Sequence, residues 1–431
     1  MLRTKKVLFS FLSLILSATA FGQGQGNTPY SVFGIGELAE PTAASQEMMG
    51  GTGASFANAF YINQINPALL VKNRVASGYK YVAFNVGFRG NARTITTENL
   101  SQRDFGFNLD NLSLTVPVTT NWAMGASLRP YSMVDHKTKY DEAIIGAENE
   151  VYTKEVYNTG GISRASFTNS FRIFNSLYVG LEANYNFGTI NKDSSSYLFG
   201  NASNQLRTNT RYAMKGGGLK FGMAYQQKLN DKWQVNIGGA VERSAELKGD
   251  VLRTFGSYAD VGNGPFITRV PDTLALNDIS VKTPTQYRVG ISLESPFKWI
   301  FAADYHTTKW STAQNLDALA ERIKNDTEEY KFGLEYLPNS SSTRYLSQVF
   351  YRLGYSTSQT AYVINGTRIK DNKFSMGVSV PMGYRNPSYV NLGVAFGNRG
   401  VITNNLIREN YVRLSISATL LSPWFIQPRI D

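Results

Sequence analysis

Residues 177–187 read Leu-Tyr-Val-Gly-Leu-Glu-Ala-Asn-Tyr-Asn-Phe, and stretches of this kind decide the fold. Every second residue from Leu177 to Phe187 is apolar or aromatic, and most residues between them are small or polar. Residues 412–420 alternate in the same way, with Arg and Ser at polar positions. Because successive side chains of a strand point to opposite faces, this period of two predicts β-strands with one apolar and one polar face.

Similar alternation along the chain predicts an all-β fold of about fourteen strands. The strands are expected near residues 76–90, 104–118, 121–135, 155–174, 176–190, 207–229, 232–247, 283–296, 298–311, 329–338, 345–358, 369–383, 388–398 and 405–421. The connections between them alternate in length. Long connections are expected at 91–103, 136–154, 191–206, 248–282, 312–328, 359–368 and 399–404, and short ones include Thr119-Thr120, Asn175, Asn230-Asp231, Phe297 and 384–387.

The alternation of long and short connections separates a membrane barrel from a soluble β-sandwich. A sandwich also alternates apolar and polar residues, but short turns at one end and long loops at the other are typical of transmembrane antiparallel β-barrels. An even strand count puts both chain termini on the short-turn, periplasmic side. We therefore predict a barrel in the outer membrane of a Gram-negative bacterium, surrounded by outer-membrane lipid.

The positions of the five tryptophans predict the same orientation of the barrel in the membrane. Three of them begin a strand directly after a short turn, a fourth follows the last strand, and one precedes a long loop. Amphipathic indoles sit at the level of the lipid head groups, so barrels carry aromatic girdles at both interfaces. The expected girdle consists of Trp122, Trp233, Trp299, Trp310 and Trp424.

The N-terminus has the form of a secretory signal peptide. Arg3, Lys5 and Lys6 precede an apolar run, and small residues follow up to Gly22. The run is shorter than the roughly 20 residues that a membrane-spanning helix needs. We expect a signal peptide at 1–22, an N-terminal segment at 23–75, the barrel at 76–421 and a short periplasmic C-terminal tail at 422–431.

Composition narrows the possible partners and cofactors. The formal net charge is +11, but the basic residues are scattered singly or in pairs, so no nucleic acid is expected as a partner. We expect the positive charge to attract anionic lipid head groups or acidic partners, or to form a solvated basic surface. The chain has no Cys and two His, too few ligands for a usual zinc site, and we expect no metal and no cofactor.

Residues 27–70 do not alternate and carry the most distinctive motif. A Gly-Gly-Thr-Gly-Ala run starts at Gly50, and Asn-Pro-Ala-Leu follows about a dozen residues later. A phosphate loop is not indicated, because no βαβ context surrounds the glycines. A flexible leader remains one interpretation of this composition. The residues that define the motif are Gly50, Gly51, Gly53, Asn66, Pro67 and Ala68.

This leader, followed by fourteen strands, resembles the long-chain fatty-acid transporter (FadL/TodX) family of outer-membrane barrels. It looks closest to the divergent branch whose mature N-termini read like residues 28–36, Thr-Pro-Tyr-Ser-Val-Phe-Gly-Ile-Gly. The resemblance implies that the leader folds inside the lumen as a hatch, with the motif residues as part of it. It also implies a lateral opening at Pro130 in the third strand, where proline removes a ladder donor.

The polar faces of the strands predict a charged lumen. If these faces point inward, they carry charges of both signs on neighbouring strands, which can pair across the ladder. Such pairs would brace the barrel and hold the hatch, whereas a merely wet lumen is an equally good interpretation. The predicted lumen charges are Glu182, Glu242, Arg288, Asp304, Lys331, Glu335, Arg352 and Arg413.

Two functions fit these features. The first is passive uptake of a small hydrophobic compound through a hatch-gated lumen, with lateral exit into the membrane. The second is a non-transporting scaffold subunit of a large outer-membrane secretion or barrel-assembly complex, with other outer-membrane proteins as partners. An enzyme is not expected: His306 follows Asp304 near a strand end, but a catalytic dyad needs a nucleophile within hydrogen-bond reach, and the sequence cannot show one.

Overall fold

Fourteen antiparallel strands close into a barrel in this computed structural model. The structure describes residues 26–72, 81–144, 147–198, 204–260, 265–267, 271–314, 325–383, 388–404 and 406–423. Each strand pairs with its neighbours along the chain, and the last strand pairs with the first from Arg408–Thr96 to Pro423–Tyr81. The predicted all-β fold with about fourteen strands is therefore confirmed.

The barrel strands are numbered β1 to β14 in chain order. Two of them, β7 and β8, consist of two pieces each. The bounds are β1 Tyr81–Thr96, β2 Ser101–Pro117, β3 Trp122–Ile144, β4 Ala147–Ile173, β5 Leu177–Leu198, β6 Asn204–Lys228, β7 Gln234–Glu242 and Glu246–Asp260, β8 Asp272–Lys282 and Thr285–Ser295, β9 Trp299–Lys309, β10 Thr327–Tyr336, β11 Phe350–Ile364, β12 Thr367–Pro381, β13 Tyr389–Arg399 and β14 Arg408–Pro423. Short elements outside this set are a strand at Pro265–Ile267 and 3₁₀ helices at Trp310–Thr312 and Tyr345–Gln348.

The two faces of each strand differ in polarity as the sequence predicts. In β8, Ile291 and Leu293 are exposed on the outer face, while Ser292 and Glu294, which alternate with them, are buried on the inner face. An apolar outer band and a polar interior is the arrangement required of a barrel that crosses a lipid bilayer. The described residues contain no helix long and apolar enough to cross a membrane.

The two ends of the barrel differ, and they are called the lower and the upper rim. The lower rim carries the turns at 118–121, 174–176, 229–233 and 296–298, together with the start of β1 and the end of β14. At the upper rim, several predicted long loops are wrong. Most of 136–154, 191–206 and 248–282 is paired strand.

A physical reason explains these missed strands. At the upper rim both strand faces carry polar residues, so the hydrophobic period of two disappears while the backbone pairing continues.

The predicted long loop at 359–368 is wrong for a second reason. β11 and β12 are joined by the two-residue turn Asn365-Gly366, whose residues have φ values of 49° and 75°. Asn and Gly are the residues that adopt this left-handed conformation most readily in such a hairpin.

The wall has a gap between β2 and β3. These strands pair only from Leu112–Leu128 to Pro117–Ala123, near the lower rim. Above this point β2 pairs only with β1, and β3 pairs on its other side with β4. The described backbone of the two strands therefore separates over the upper part of the wall, and this opening is called the lateral gap.

The N-terminal segment, residues 26–72, lies inside the barrel. It contains a 3₁₀ helix at Pro29–Val32, a two-residue strand at Glu37–Leu38, a short α-helix at Ala44–Glu47 and a 3₁₀ helix at Pro67–Lys72. Most of its side chains are buried, including all of residues 41–57. It runs from the upper part of the lateral gap down to the inner faces of β4, β5 and β6.

This path determines where the described part of the chain begins. Gly26, the first described residue, lies beside the backbone of Gly106 in the upper half of β2. The segment reaches that point because it traverses the whole lumen before β1 begins. The predicted signal peptide at 1–22 lies outside the described residues, and the periplasmic position of both termini stays a prediction. β1 is described from Tyr81, and the predicted start at 76 lies outside the described residues; β14 continues to Pro423, past the predicted end at 421.

Candidate functional site: the filled lumen and the lateral gap

The lowest part of the lumen is filled by the Asn-Pro-Ala motif. The Asn66 Nδ2 atom donates to the carbonyl oxygens of Ala54 at 2.7 Å and Met223 at 3.0 Å, and Asn66 Oδ1 accepts from the Ala68 N–H at 3.0 Å. Ala68 O accepts from the Ser170 hydroxyl at 2.7 Å. The motif therefore fixes its own turn and bonds to the barrel wall at two strands.

The middle of the lumen holds the glycine run. Gly50 and Gly51 have φ values of 72° and 84°, a left-handed backbone that favours glycine. The Gly50 N–H donates to the Ser375 hydroxyl at 3.1 Å. Three residues later, Asp304 Oδ2 accepts the N–H groups of Gly53 at 2.8 Å and Ala54 at 2.9 Å. A carboxylate of the wall thus holds two main-chain donors of the segment.

Inward-facing glycines of the wall make room for this backbone. A Cβ atom added at Gly354 would lie 1.9 Å from Gly50 N, and one added at Gly222 would lie 2.2 Å from Asn66 Oδ1. Contacts this short exclude any larger side chain while the segment is seated. The same close approach to residues 48–68 or their bound side chains occurs at Gly180, Gly238, Gly290, Gly333, Gly377 and Gly393.

Above the glycine run, one buried carboxylate binds three cations of the wall. Glu47 Oε1 lies 2.9 Å from Arg413 Nη1 and 3.3 Å from Lys373 Nζ, and Glu47 Oε2 lies 3.3 Å from Arg89 Nη2. Burial by itself would raise the pKa of Glu47, but these three charges hold it well below its usual range. Glu47 is therefore ionised at neutral pH and ties the segment to β1, β12 and β14.

Two further carboxylates of the segment complete this upper ion network. Glu40 lies 2.8 Å from Lys331 Nζ and 3.1 Å from Lys373 Nζ. Glu37 lies 2.8 Å from Arg399 Nη2. Between these groups remains a cavity of about 140 Å³ that is lined by charged, neutral polar and apolar side chains. Such a cavity suits water or a polar group better than an apolar compound.

Other lumen charges pair between strands of the wall. Lys220 Nζ lies 2.8 Å from Glu182, and Arg352 Nε lies 2.6 Å from Glu335. Arg164 Nη1 lies 2.6 Å from Glu242. All eight charges proposed for the lumen face inward and are mostly buried, with Arg288 3.8 Å from Glu242. Sequence reasoning missed Arg164 and Lys220, which pair with Glu242 and Glu182. It also missed the wall cations that pair with carboxylates of the N-terminal segment, which are Arg89, Arg93, Lys373 and Arg399.

The N-terminal segment also covers the lateral gap. Asn27 Nδ2 donates to Lys137 O at 2.8 Å, and Asn27 Oδ1 accepts from the Lys137 N–H at 3.1 Å. The N–H of Thr28 donates to Asp135 O at 3.0 Å, and the N–H of Ala39 donates to Tyr131 O at 2.9 Å. The upper edge of β3 therefore has main-chain and side-chain partners from the segment in place of β2.

Glu37 and Leu38 extend this cover as a short strand. They pair antiparallel with Met133 and Ser132 of β3. On the other side of the gap, the Asn27 N–H donates to the Asp104 carboxylate of β2 at 2.6 Å. The segment thus bridges both strands that border the opening.

Pro130 lies where β2 and β3 separate. It follows Leu128, the last residue of β3 that pairs with β2, by two positions. The ladder with β4 is irregular here, between Pro130–Ser163 and Ser132–Ile162. The opening is a separation of two strands over many residues. The loss of one ladder donor at Pro130 affects a single position and does not account for it. A role for Pro130 in a lateral exit stays a prediction.

The tryptophans divide into three groups. Trp122, Trp233 and Trp299 lie at the lower rim; Trp122 stacks on Phe171 with ring centroids 5.9 Å apart. Trp310 is buried and lines the charged cavity, where its Nε1 donates to Thr327 Oγ1 at 3.1 Å, so its expected girdle position is wrong. Its place at the strand end suited a girdle, but its side chain turns inward. Trp424 lies outside the described residues.

Both histidines lie beside atoms that hold the N-terminal segment. His136 Nδ1 is 3.1 Å from Asn27 Oδ1. His306 Nε2 is 3.6 Å from Asp304 Oδ2, the atom that also accepts from Gly53 and Ala54. In the described residues no group of three His, Asp or Glu side chains is arranged to hold a metal ion. The geometry at both histidines is that of structural contacts.

The fold defines the class of protein: a FadL-type barrel, which points to the outer membrane of a Gram-negative bacterium. The Pseudomonas putida toluene transporter TodX superposes with a TM-score of 0.57 at 16% identity, covering 90% of this chain and 100% of that chain. The Ralstonia pickettii toluene transporter TbuX gives 0.55 at 15% identity, covering 88% and 98%. A Pseudomonas aeruginosa FadL homologue gives 0.53 at 11% identity, covering 90% and 99%.

Comparison of the sequence with protein-family models identifies the family. The family model described as BamG matches residues 3–431, so the chain belongs to the BamG family. No curated protein matches the chain in a sequence comparison. The predicted resemblance to a divergent branch of the FadL/TodX barrels is thereby confirmed.

Proposed function

We propose that this protein is a non-transporting structural subunit of a large outer-membrane secretion or barrel-assembly complex. The observation that carries the proposal is the filled lumen. Residues 41–57 are all buried within the barrel, and the wall contacts them through Ser375, Asp304 and the inward-facing glycines. A barrel that is packed along its axis serves better as a rigid scaffold than as a conduit.

The cover of the lateral gap supports the same function. Release of an apolar compound through the gap requires residues 26–39 to leave β3. That movement breaks the hydrogen bonds of Asn27, Thr28 and Ala39 and the strand pairing of Glu37 and Leu38. Each buried main-chain group that loses its partner costs about 1–3 kcal/mol, so the closed gap is strongly favoured.

The upper rim offers a surface for partners. β4 has 27 residues and β3 has 23, whereas about 9–11 residues suffice to cross a bilayer. The surplus extends β3 to β8 beyond the apolar band as a paired sheet. Partner proteins could bind this rigid sheet without any change inside the barrel, as a scaffold requires.

Passive uptake of a small hydrophobic compound is the second candidate. The lateral gap and the likeness to the TodX and TbuX toluene transporters favour it. In that case residues 26–72 would act as a hatch. The charges around the 140 Å³ cavity oppose it, because an apolar ligand there would desolvate ionic groups.

One pair of experiments separates the two functions. The tagged protein is purified from its native outer membrane in mild detergent, and uptake of radiolabelled toluene is measured in cells with and without the gene. The proposal expects a stable complex of defined stoichiometry and unchanged uptake. A protein that purifies alone, with uptake that falls on deletion, would establish the transport function instead.

A further inference from the structure

Six charged side chains form a buried cluster on the inner faces of β3 to β8. None of them is more than 6% exposed. The register of neighbouring strands places these side chains side by side. Arg129 of β3 lies directly opposite Arg164 of β4. Lys220 of β6 lies opposite Glu182 of β5 on one side and Glu242 of β7 on the other. The cluster contains four cations and two carboxylates: Arg129, Arg164, Lys220, Arg288, Glu182 and Glu242.

The two carboxylates are already shared among three of the cations. Glu182 binds Lys220 at 2.8 Å, and Glu242 binds Arg164 at 2.6 Å and lies 3.8 Å from Arg288. The Nη1 of Arg288 has no hydrogen-bond partner among the described residues. The cluster therefore carries more positive than negative charge.

Among the described residues, Arg129 is the cation of the cluster that forms no ion pair. Within the described part of the chain its one hydrogen bond runs from Nη1 to the Pro130 carbonyl oxygen, at 3.3 Å. Like charges directly opposite each other on neighbouring strands, as at Arg129 and Arg164, destabilise a sheet unless a counter-charge lies between them.

We propose that Arg129, with Arg164 and Arg288, binds an oxyanion of the phosphate type. A buried charge needs a partner, and the planar guanidinium group matches phosphate oxygens with paired hydrogen bonds. Arg129 follows Leu128, the last residue that pairs with β2, so it lies at the base of the lateral gap. The anion can be free phosphate or the phosphate of a lipid head group, either of which would enter through the gap.

The first experiment measures the effect of inorganic phosphate on thermal unfolding. The full-length protein in phosphate-free detergent buffer is titrated with phosphate against chloride at constant ionic strength. We expect a saturable rise in Tm for the wild type that Arg129→Gln abolishes and Arg129→Lys partly restores. The control Arg103→Gln removes an exposed arginine of β2 and should keep the full rise. The readout is the phosphate-dependent shift, so a lower starting Tm of a variant does not affect it.

The second experiment distinguishes the source of the anion. Native mass spectrometry of the purified protein counts bound phospholipid or lipid A. If phosphate has no effect but about one lipid per chain is retained, and Arg129→Gln loses it while Arg103→Gln does not, the ligand is a lipid head group. The proposal is overturned if neither phosphate nor lipid binds to the wild type. It is also overturned if Arg129→Gln binds either ligand as the wild type does, because the bound molecule is then an adventitious anion only.

Discussion

Replacing Asp304 by alanine should unseat the middle of the N-terminal segment. In the wild type, Asp304 Oδ2 accepts the buried N–H groups of Gly53 at 2.8 Å and Ala54 at 2.9 Å. Alanine leaves both donors without this acceptor. A buried donor without a partner costs about 1–3 kcal/mol, so the two together cost about 2–6 kcal/mol. Since about 1.4 kcal/mol is a factor of ten, the unseated population should rise between about 30-fold and 10⁴-fold.

Amide hydrogen exchange measures this population directly. Exchange of the Gly53 and Ala54 amides in Asp304→Ala should quicken by the same factor, while amides in β5 keep their rates. Asp304→Asn retains a neutral acceptor and should give an intermediate rate, because hydrogen bonds to a charged oxygen are roughly twice as strong as neutral ones. Asp231→Ala, at an exposed lower-rim turn, is the matched control and should change nothing. Equal protection of both amides in Asp304→Ala and the wild type would refute the assigned anchoring.

Three further predictions follow from the same geometry. Gly354→Val should prevent the segment from seating and raise protease cleavage within it, because even a Cβ atom would lie 1.9 Å from Gly50 N; Gly217→Val, on the outer face, should not. Although burial opposes ionisation, Arg399 and Arg93 lower the pKa of Glu37 to about 2, from 4.5. Amide protection around Glu37 should therefore be constant above about pH 4.5 and decline only as the pH falls towards 2; loss of protection between pH 6 and 8 would contradict the pairing. Because the chain has no Cys, Asn277→Cys at the upper rim should react with an impermeant maleimide on intact cells and Lys232→Cys at the lower rim should not; the reverse pattern would invert the orientation.

Alternation in the sequence predicts the membrane-crossing strands well because lipid demands an apolar outer face. It also identifies the inward charges such as Glu182 and Glu242. It cannot identify their partners, since Lys220 and Arg164 meet them only through the register of neighbouring strands. The upper-rim parts of the strands carry no such pattern, so the sequence predicts loops there.

The N-terminal segment shows the same limit. Its glycines and Asn66 stand out in the sequence, but nothing local indicates what they contact. Glu47 binds Arg413, which is 366 residues away along the chain. The cover of the lateral gap depends on Asn27 and Thr28, two ordinary polar residues whose importance comes only from the position of β3.

Current through the purified protein in a planar lipid bilayer tests the central claim, that the barrel is closed by its own N-terminal segment. We expect the wild type to show no steady conductance above that of the bare membrane. A variant lacking residues 27–66 that still inserts should show large, stable open steps, because the packed interior has been removed. Steady open steps in the wild type, of the size given by the deletion variant, would contradict the account.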